Sequence, residues 1–191
     1  MPRSDRELMV AFKMGDPEAF DALLLRYERP LANYFYKQCY DRTFAQDLVQ
    51  ETFLRILKSA HRYRPEAKFK TFLFTVARNL WIDQHRSRKS APRIISADLP
   101  IGDDGATIGD SVPSGDRSAP QRTLDLEAAA MVRTALEELP EGQRDVWLLS
   151  VEQDLKQREI SEILGIPVGT VKSRMNAAVG RLRGLLGGAL R

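Results

Sequence analysis

The stretch from Gln157 to Arg174 constrains this chain more than any other, because it spells a helix, a tight turn and a second helix. Ile160, Ile163 and Leu164 repeat at helical spacing, Gly165 and Pro167 interrupt the chain, and Val171, Met175, Ala178, Leu182 and Leu185 restart the repeat. Units of this kind commonly touch DNA. After Glu162 no acidic residue follows, whereas Lys172, Arg174, Arg181, Arg183 and Arg191 are all cationic, the sign that a phosphate backbone attracts. The competing reading is a plain packing unit whose basic residues suit the C-terminal end of a helix dipole. The Gly-Ile-Pro turn and the small polar residues at the start of the second helix favour DNA.

The remaining sequence reads as all-α, with two small helical domains joined by a linker: residues 1–90, a connector over 91–121, and residues 122–191. Ser4 with Glu7 makes a capping box for a first helix, and Asp16-Pro17 supplies an N-cap and an N1 proline for a second, in which Pro30 predicts a kink or break. Thr43 with Gln46 is read as the start of a third helix whose inward face is Phe44, Leu48, Phe53, Ile56 and Leu57. A fourth helix follows the loop from Arg62 to Lys68. In the second domain, helices are predicted over about Thr123 to Leu139 and Glu141 to Ser150 before the helix-turn-helix.

Charge is divided unevenly among these parts. Residues 1–93 hold 18 Lys and Arg against 11 Asp and Glu, residues 94–121 hold 1 against 5, and residues 122–191 hold 10 of each. The connector is rich in Pro and Gly with little periodicity, and is read as an irregular, acidic tether. Relaxed, its 28 residues from 94 to 121 would span about 30 Å.

Several function classes are excluded. One cysteine, Cys39, precludes an internal disulfide, and with only His61 and His85 beside it no metal-ligand spacing arises, so neither a metal nor a cofactor is expected. Cys39 is read as a packing residue. No apolar run reaches the roughly 18 residues that a membrane span requires, so no stable membrane insertion is expected and the expected compartment is the cytoplasm. A nuclease would need clustered carboxylates or a histidine base, and the pattern offers neither. No catalytic residue is assigned.

Two helices carry further surface candidates. On the fourth, Phe69, Phe72, Leu73, Val76 and Leu80 form a core stripe, while Phe74, Arg78, Trp81 and His85 lie opposite. Rings interleaved with cations suit an unpaired nucleic-acid strand, each stacked base being worth about 1–3 kcal/mol. Burial of both faces between neighbouring helices is the alternative. On the third helix, Asp47, Gln50, Glu51 and Arg55 form either a docking surface for a basic protein helix or a solvated face with a Glu51–Arg55 pair.

These segments resemble the extracytoplasmic-function group of bacterial sigma factors. Residues 47–55, Asp-Leu-Val-Gln-Glu-Thr-Phe-Leu-Arg, are similar to the family segment that docks on the clamp helices of the largest subunit of core RNA polymerase. Residues 69–83 resemble the promoter-melting segment, and residues 139–144 with 166–174 resemble the segment that reads the upstream promoter element. The resemblance implies a dissociable, non-enzymatic initiation subunit whose second domain reads the −35 element as duplex and whose first domain opens the −10 element. It places −35 contacts at Thr170, Lys172, Ser173, Arg174 and Asn176. The −10 contacts fall on Tyr63, Lys68, Phe74, Arg78, Asn79 and Trp81, with Asn79 helping to recognise a flipped base. Promoter DNA, core polymerase and an anti-sigma factor are the implied partners. Ala177 and Val179 stand where many relatives carry Arg, which removes some usual contacts. A helix-turn-helix regulator acting without a polymerase-subunit role is the alternative reading.

Overall fold

The computed structural model describes residues 3–64, 67–90 and 119–189, with side chains excepted at 88–90, 119–127 and 188–189. The tether expected between the domains therefore lies outside the described residues, apart from its last three, which open a helix. Among the described residues there is no strand. The first domain comprises α1 (Asp5–Lys13), α2 (Pro17–Cys39), α3 (Arg42–Ser59), a 3-10 turn (Ala60–Arg62) and α4 (Phe69–Ser90). The second comprises α5 (Ala119–Glu137), α6 (Glu141–Trp147), a π-helical turn (Leu148–Glu152), α7 (Gln157–Leu164) and α8 (Val168–Ala189).

Local chemistry sets most boundaries. At α1 the Ser4 hydroxyl accepts from the Glu7 N–H at 3.3 Å while the Glu7 carboxylate accepts from the Ser4 N–H at 2.7 Å, satisfying two donors that a helix start leaves open. At α2 the Asp16 carboxylate accepts from the Ala19 N–H at 3.3 Å. The third helix starts at Arg42 rather than Thr43, because Asp41 is its cap and accepts from the Phe44 N–H at 3.0 Å. Helix α2 also runs on through Pro30, so that of the kink or break expected there no break occurs. The proline removes one backbone donor, but Tyr27, Leu31, Tyr34 and Phe35 are buried on both sides of it, and that burial outweighs the lost bond. Leu57, predicted inward, is 41% exposed: α3 turns it away from the core that takes Leu48, Phe53 and Ile56.

The two domains pack against each other. One buried apolar cluster runs from Leu23, Phe35, Phe53 and Leu73 of the first domain to Val146, Leu149, Ile160 and Leu164 of the second. A smaller one joins α5 to α8 through Leu136, Leu139, Ala178 and Leu182. The Arg144 guanidinium closes the end of α5 by donating to the Glu137 carbonyl at 2.8 Å and to the Leu139 carbonyl at 3.2 Å.

Candidate nucleic-acid interface

The helix-turn-helix forms where the sequence puts it. Helix α7 buries Ile160, Ile163 and Leu164, and Gly165 ends it in the left-handed region at φ 63°, a conformation that glycine adopts without a side-chain clash. The Ser161 hydroxyl donates to the Ile166 carbonyl and ties the turn together. Helix α8 then rests on Val171, Ala178 and Leu182, so that Lys172, Ser173 and Asn176 point into solvent. Thr170 is half-buried, and so is Arg174, which lies across the start of α6: a Cβ added at Gly142 would stand 2.9 Å from its guanidinium. Four of the five −35 candidates thus form one surface, and Arg174 leans towards α6.

The −10 candidates are dispersed. Asn79 is exposed on α4, and Lys68 is exposed but pairs at 2.8 Å with Glu159 of α7. Tyr63 is buried, its hydroxyl donating to the Ala67 carbonyl at 2.9 Å. Phe74 is fully buried with its ring edge-on to Tyr34 at 5.5 Å, and Trp81 is 6% exposed. Of the two readings left open by the pattern of α4, the structure therefore shows the buried one. Tyr63 and Phe74 pack on rings of the first domain itself, and the second domain covers only part of α4. Lys70, Phe74, Arg78 and His85 share a stripe of α4, and α6, the π-helical turn and α7 lie along it: the Lys70 ammonium donates to the Gln153 carbonyl, and the Arg78 guanidinium stands 3.8 Å from the Asp145 carboxylate.

Beside the apolar cluster that the two domains share, this seam carries polar contacts. The Gln38 amide of α2 donates to Asp145 at 2.6 Å, Lys37 pairs with Glu152 at 2.8 Å, and the Gln153 amide donates to the Pro30 carbonyl at 3.3 Å. Burial pushes the Asp145 carboxyl up to about 6, although the hydrogen bond from Gln38 and the Arg78 charge pull it down. Burial also raises the nearby Tyr34 hydroxyl, with the Asp145 charge adding to it. The fit is incomplete. A cavity of about 410 Å³ remains, lined by Arg78, His85, Glu141, Gly142, Asp145 and Arg174 among others. Arg78 Nε, Trp81 Nε1 and His85 Nε2 are buried without a hydrogen-bond partner.

Helix α3 offers the opposite picture. Asp47 and Gln50 are exposed, Glu51 accepts from Arg55 Nε at 3.0 Å, and Arg55 Nη1 reaches Asp83 of α4 at 3.2 Å. These bonds to Glu51 and Asp83 raise the Arg55 guanidinium above its ordinary value. Sequence reasoning missed that Leu54, 47% exposed, and Leu57 stand among these charges, so the face carries apolar area as well. The acidic spacing of Asp47 and Glu51, read as one side of the helix, was the available signal.

Comparison with known proteins fits this geometry. Residues 23–91 match Sigma-70 region 2 and residues 129–182 match Sigma-70 region 4. The ECF RNA polymerase sigma factor SigW of Bacillus subtilis is 30% identical over 90% of this chain and 90% of its own length. The chain belongs to the ECF RNA polymerase sigma factor family. SigM of Mycobacterium tuberculosis, another ECF sigma factor, is 31% identical over 97% of this chain and 86% of its own. Members are initiation factors and not enzymes.

In this ECF sigma factor the α3 and α4 candidates fall in region 2, and the α8 candidates, with Asp145, Gln153 and Glu159, fall in region 4. The seam is therefore one between regions. Among solved structures, CnrH in complex with the cytosolic domain of CnrY shares the fold at TM-score 0.70 and 24% identity, covering 97% of this chain and 99% of that one. RpoE in complex with the anti-sigma factor NepR from Bartonella quintana does so at 0.67 and 24%, covering 88% and 96%. Among the described residues no helix is long and apolar enough to cross a membrane, and no group of His, Cys, Asp and Glu could hold a metal.

Proposed function

We propose that this sigma factor binds core RNA polymerase in the cytoplasm and directs initiation at promoters whose −35 element it reads as duplex and whose −10 element it opens. The observation that carries the reading is the exposure of two separate faces: Asp47, Gln50, Leu54 and Leu57 on α3, and Lys172, Ser173 and Asn176 on α8. The first combines carboxylates with apolar area, as a basic polymerase helix would require. The second suits a major groove: Lys172 can reach phosphate or guanine, and the Asn176 amide can pair bidentately with adenine. Melting is assigned to α4, where Asn79, Lys68, Arg78 and Trp81 would hold an unstacked strand while Tyr63 supports the loop beside it and Phe74, buried against Tyr34, supports the helix from within. A domain boundary near residue 90 and another near 121 fit this division. An anti-sigma factor, of the kind bound to RpoE in the solved complex, is the proposed regulator.

Transcription of genomic DNA by core polymerase with and without the chain tests the proposal. New start sites sharing two upstream motifs are expected, and their absence would refute it. A promoter found this way allows a finer test, in which Lys172→Ala weakens upstream-element binding by about 1–3 kcal/mol if its contact is to a base. An unchanged footprint would remove Lys172 from the interface.

A further inference from the structure

The cavity between α4 on one side and α6 and α8 on the other holds donors and acceptors on different walls. The α4 wall carries the Arg78 guanidinium and the His85 imidazole, and Arg174 of α8 adds a second guanidinium. The α6 wall carries the carboxylates of Glu141 and Asp145. From this division we infer that the cavity is a binding site for a guanine nucleotide, its phosphate meeting the guanidinium groups and its base offering N–H groups to the carboxylates. The site is additional to the promoter and polymerase faces. Arg78 and Arg174 would be shared with DNA, whereas His85, Glu141 and Gly142 would serve the small molecule alone.

Both walls have bonding capacity to spare. Arg78 Nε and His85 Nε2 are buried without a hydrogen-bond partner, a state that costs free energy until a ligand supplies one, and the empty space allows the small side-chain turn that this needs. Opposite them, one Asp145 oxygen accepts from Gln38 at 2.6 Å, while the other stands 3.8 Å from Arg78, beyond hydrogen-bond reach. Glu141 is exposed at the start of α6. Gly142 keeps the space open: a Cβ there would stand 2.9 Å from Arg174 Nη1 and 3.1 Å from its Cζ. Its φ is not positive, so the backbone does not demand glycine, and room for the guanidinium is what the missing side chain provides.

The mixture of charges selects the ligand class. A bare anion would be drawn to the guanidinium groups but repelled by two carboxylates in the same space, so the occupant must carry N–H donors as well as negative charge. Arginine forks bind phosphate oxygens in pairs. The imino and amino groups of guanine lie side by side and present two parallel donors, which one carboxylate can accept together. At about 410 Å³ the cavity falls in the range of small-molecule sites and has room for a base and a phosphate at once.

The decisive experiment is calorimetric titration of the full chain with GMP at a pH of about 7.5, above the value of about 6 to which burial raises Asp145. Guanosine, which has the base without the phosphate, and pyrophosphate, which has the charge without the base, are titrated beside it. GMP should bind at least about tenfold more tightly than either. Gly142→Leu fills the cavity from α6 and should abolish binding, and His85→Ala should weaken it about tenfold, the effect of one lost hydrogen bond. His61→Ala, at an exposed histidine that does not line the cavity, should bind as the wild type does. Thermal unfolding establishes that each variant is folded, and if one cavity variant is not, the other decides. A wild type that does not bind GMP overturns the site. So does pyrophosphate binding as tightly as GMP, which would be attraction to charge only, or a folded cavity variant with unchanged GMP affinity.

Discussion

Two helices of this molecule carry nucleic-acid candidates, and they meet the rest of the protein in opposite ways. Helix α8 sits on one apolar edge, Val171, Ala178 and Leu182, and leaves Lys172, Ser173 and Asn176 in water. Helix α4 is packed on two sides: Phe69, Leu73, Phe74, Leu80 and Trp81 are buried, and Lys70 and Arg78 meet Gln153 and Asp145 of region 4. On the roles proposed above, the difference follows from what each helix would bind. A duplex offers its groove edges without rearrangement, so the reader can stay exposed. An unpaired strand needs rings and cations, and exposed rings are costly in water, so that face gains from a cover in the absence of ligand.

The comparison is broken most readily at Phe74. With its ring fully buried against Tyr34, Phe74→Ala should cost about 3–5 kcal/mol in denaturant unfolding, as a large-to-small core change does. If Phe74 were an exposed stacking residue, the same change would leave stability within about 0.5 kcal/mol. Unfolding midpoints at constant denaturant slope decide between the two.

These same elements separate what neighbouring residues decide from what distant ones decide. Where a structure is set by neighbours along the chain, the residues announced it: the Ser4–Glu7 box, the Asp16 cap and the Gly165 turn are all contacts within a few positions. Leu57 and the Phe74 stripe depend on which other helix arrives, and helical periodicity marks an apolar face without saying what covers it. Pro30 belongs with these. The local rule against a helical proline is sound, but it was outweighed by burial on either side. Nothing in the pattern announced the seam, because Gln38 and Asp145 are 107 residues apart.

The seam is sharpened as a region of interest by its pH dependence. Asp145 faces Gln38 and Tyr34 of α2, Arg78 of α4, and Glu141 and Arg144 of its own helix, and burial outweighs the cations to raise it to about 6 from 3.8. A carboxyl raised in the folded state binds its proton more tightly there than in the unfolded chain. Its stabilising effect is therefore complete below about 4 and is lost as the pH rises through about 6. Between pH 7.5 and 5 the wild type should gain about 1–2 kcal/mol relative to Asp145→Asn. Parallel pH profiles for the two proteins would show that Asp145 is not buried at the seam in solution.

The smallest expected effect tests the open side of the comparison. Gly180 lies on the exposed face of α8, and a Cβ added there would meet nothing within 4 Å. It is helical, so no positive φ demands glycine, and its main consequence is the backbone freedom that it returns to the unfolded chain. Gly180→Ala should stabilise the protein by up to about 1 kcal/mol. The substitution adds no charge and removes no hydrogen bond, so promoter-independent DNA affinity should stay the same. A loss of stability would mean that a neighbour crowds this face of α8 in solution, in which case the contrast with α4 would be one of degree only.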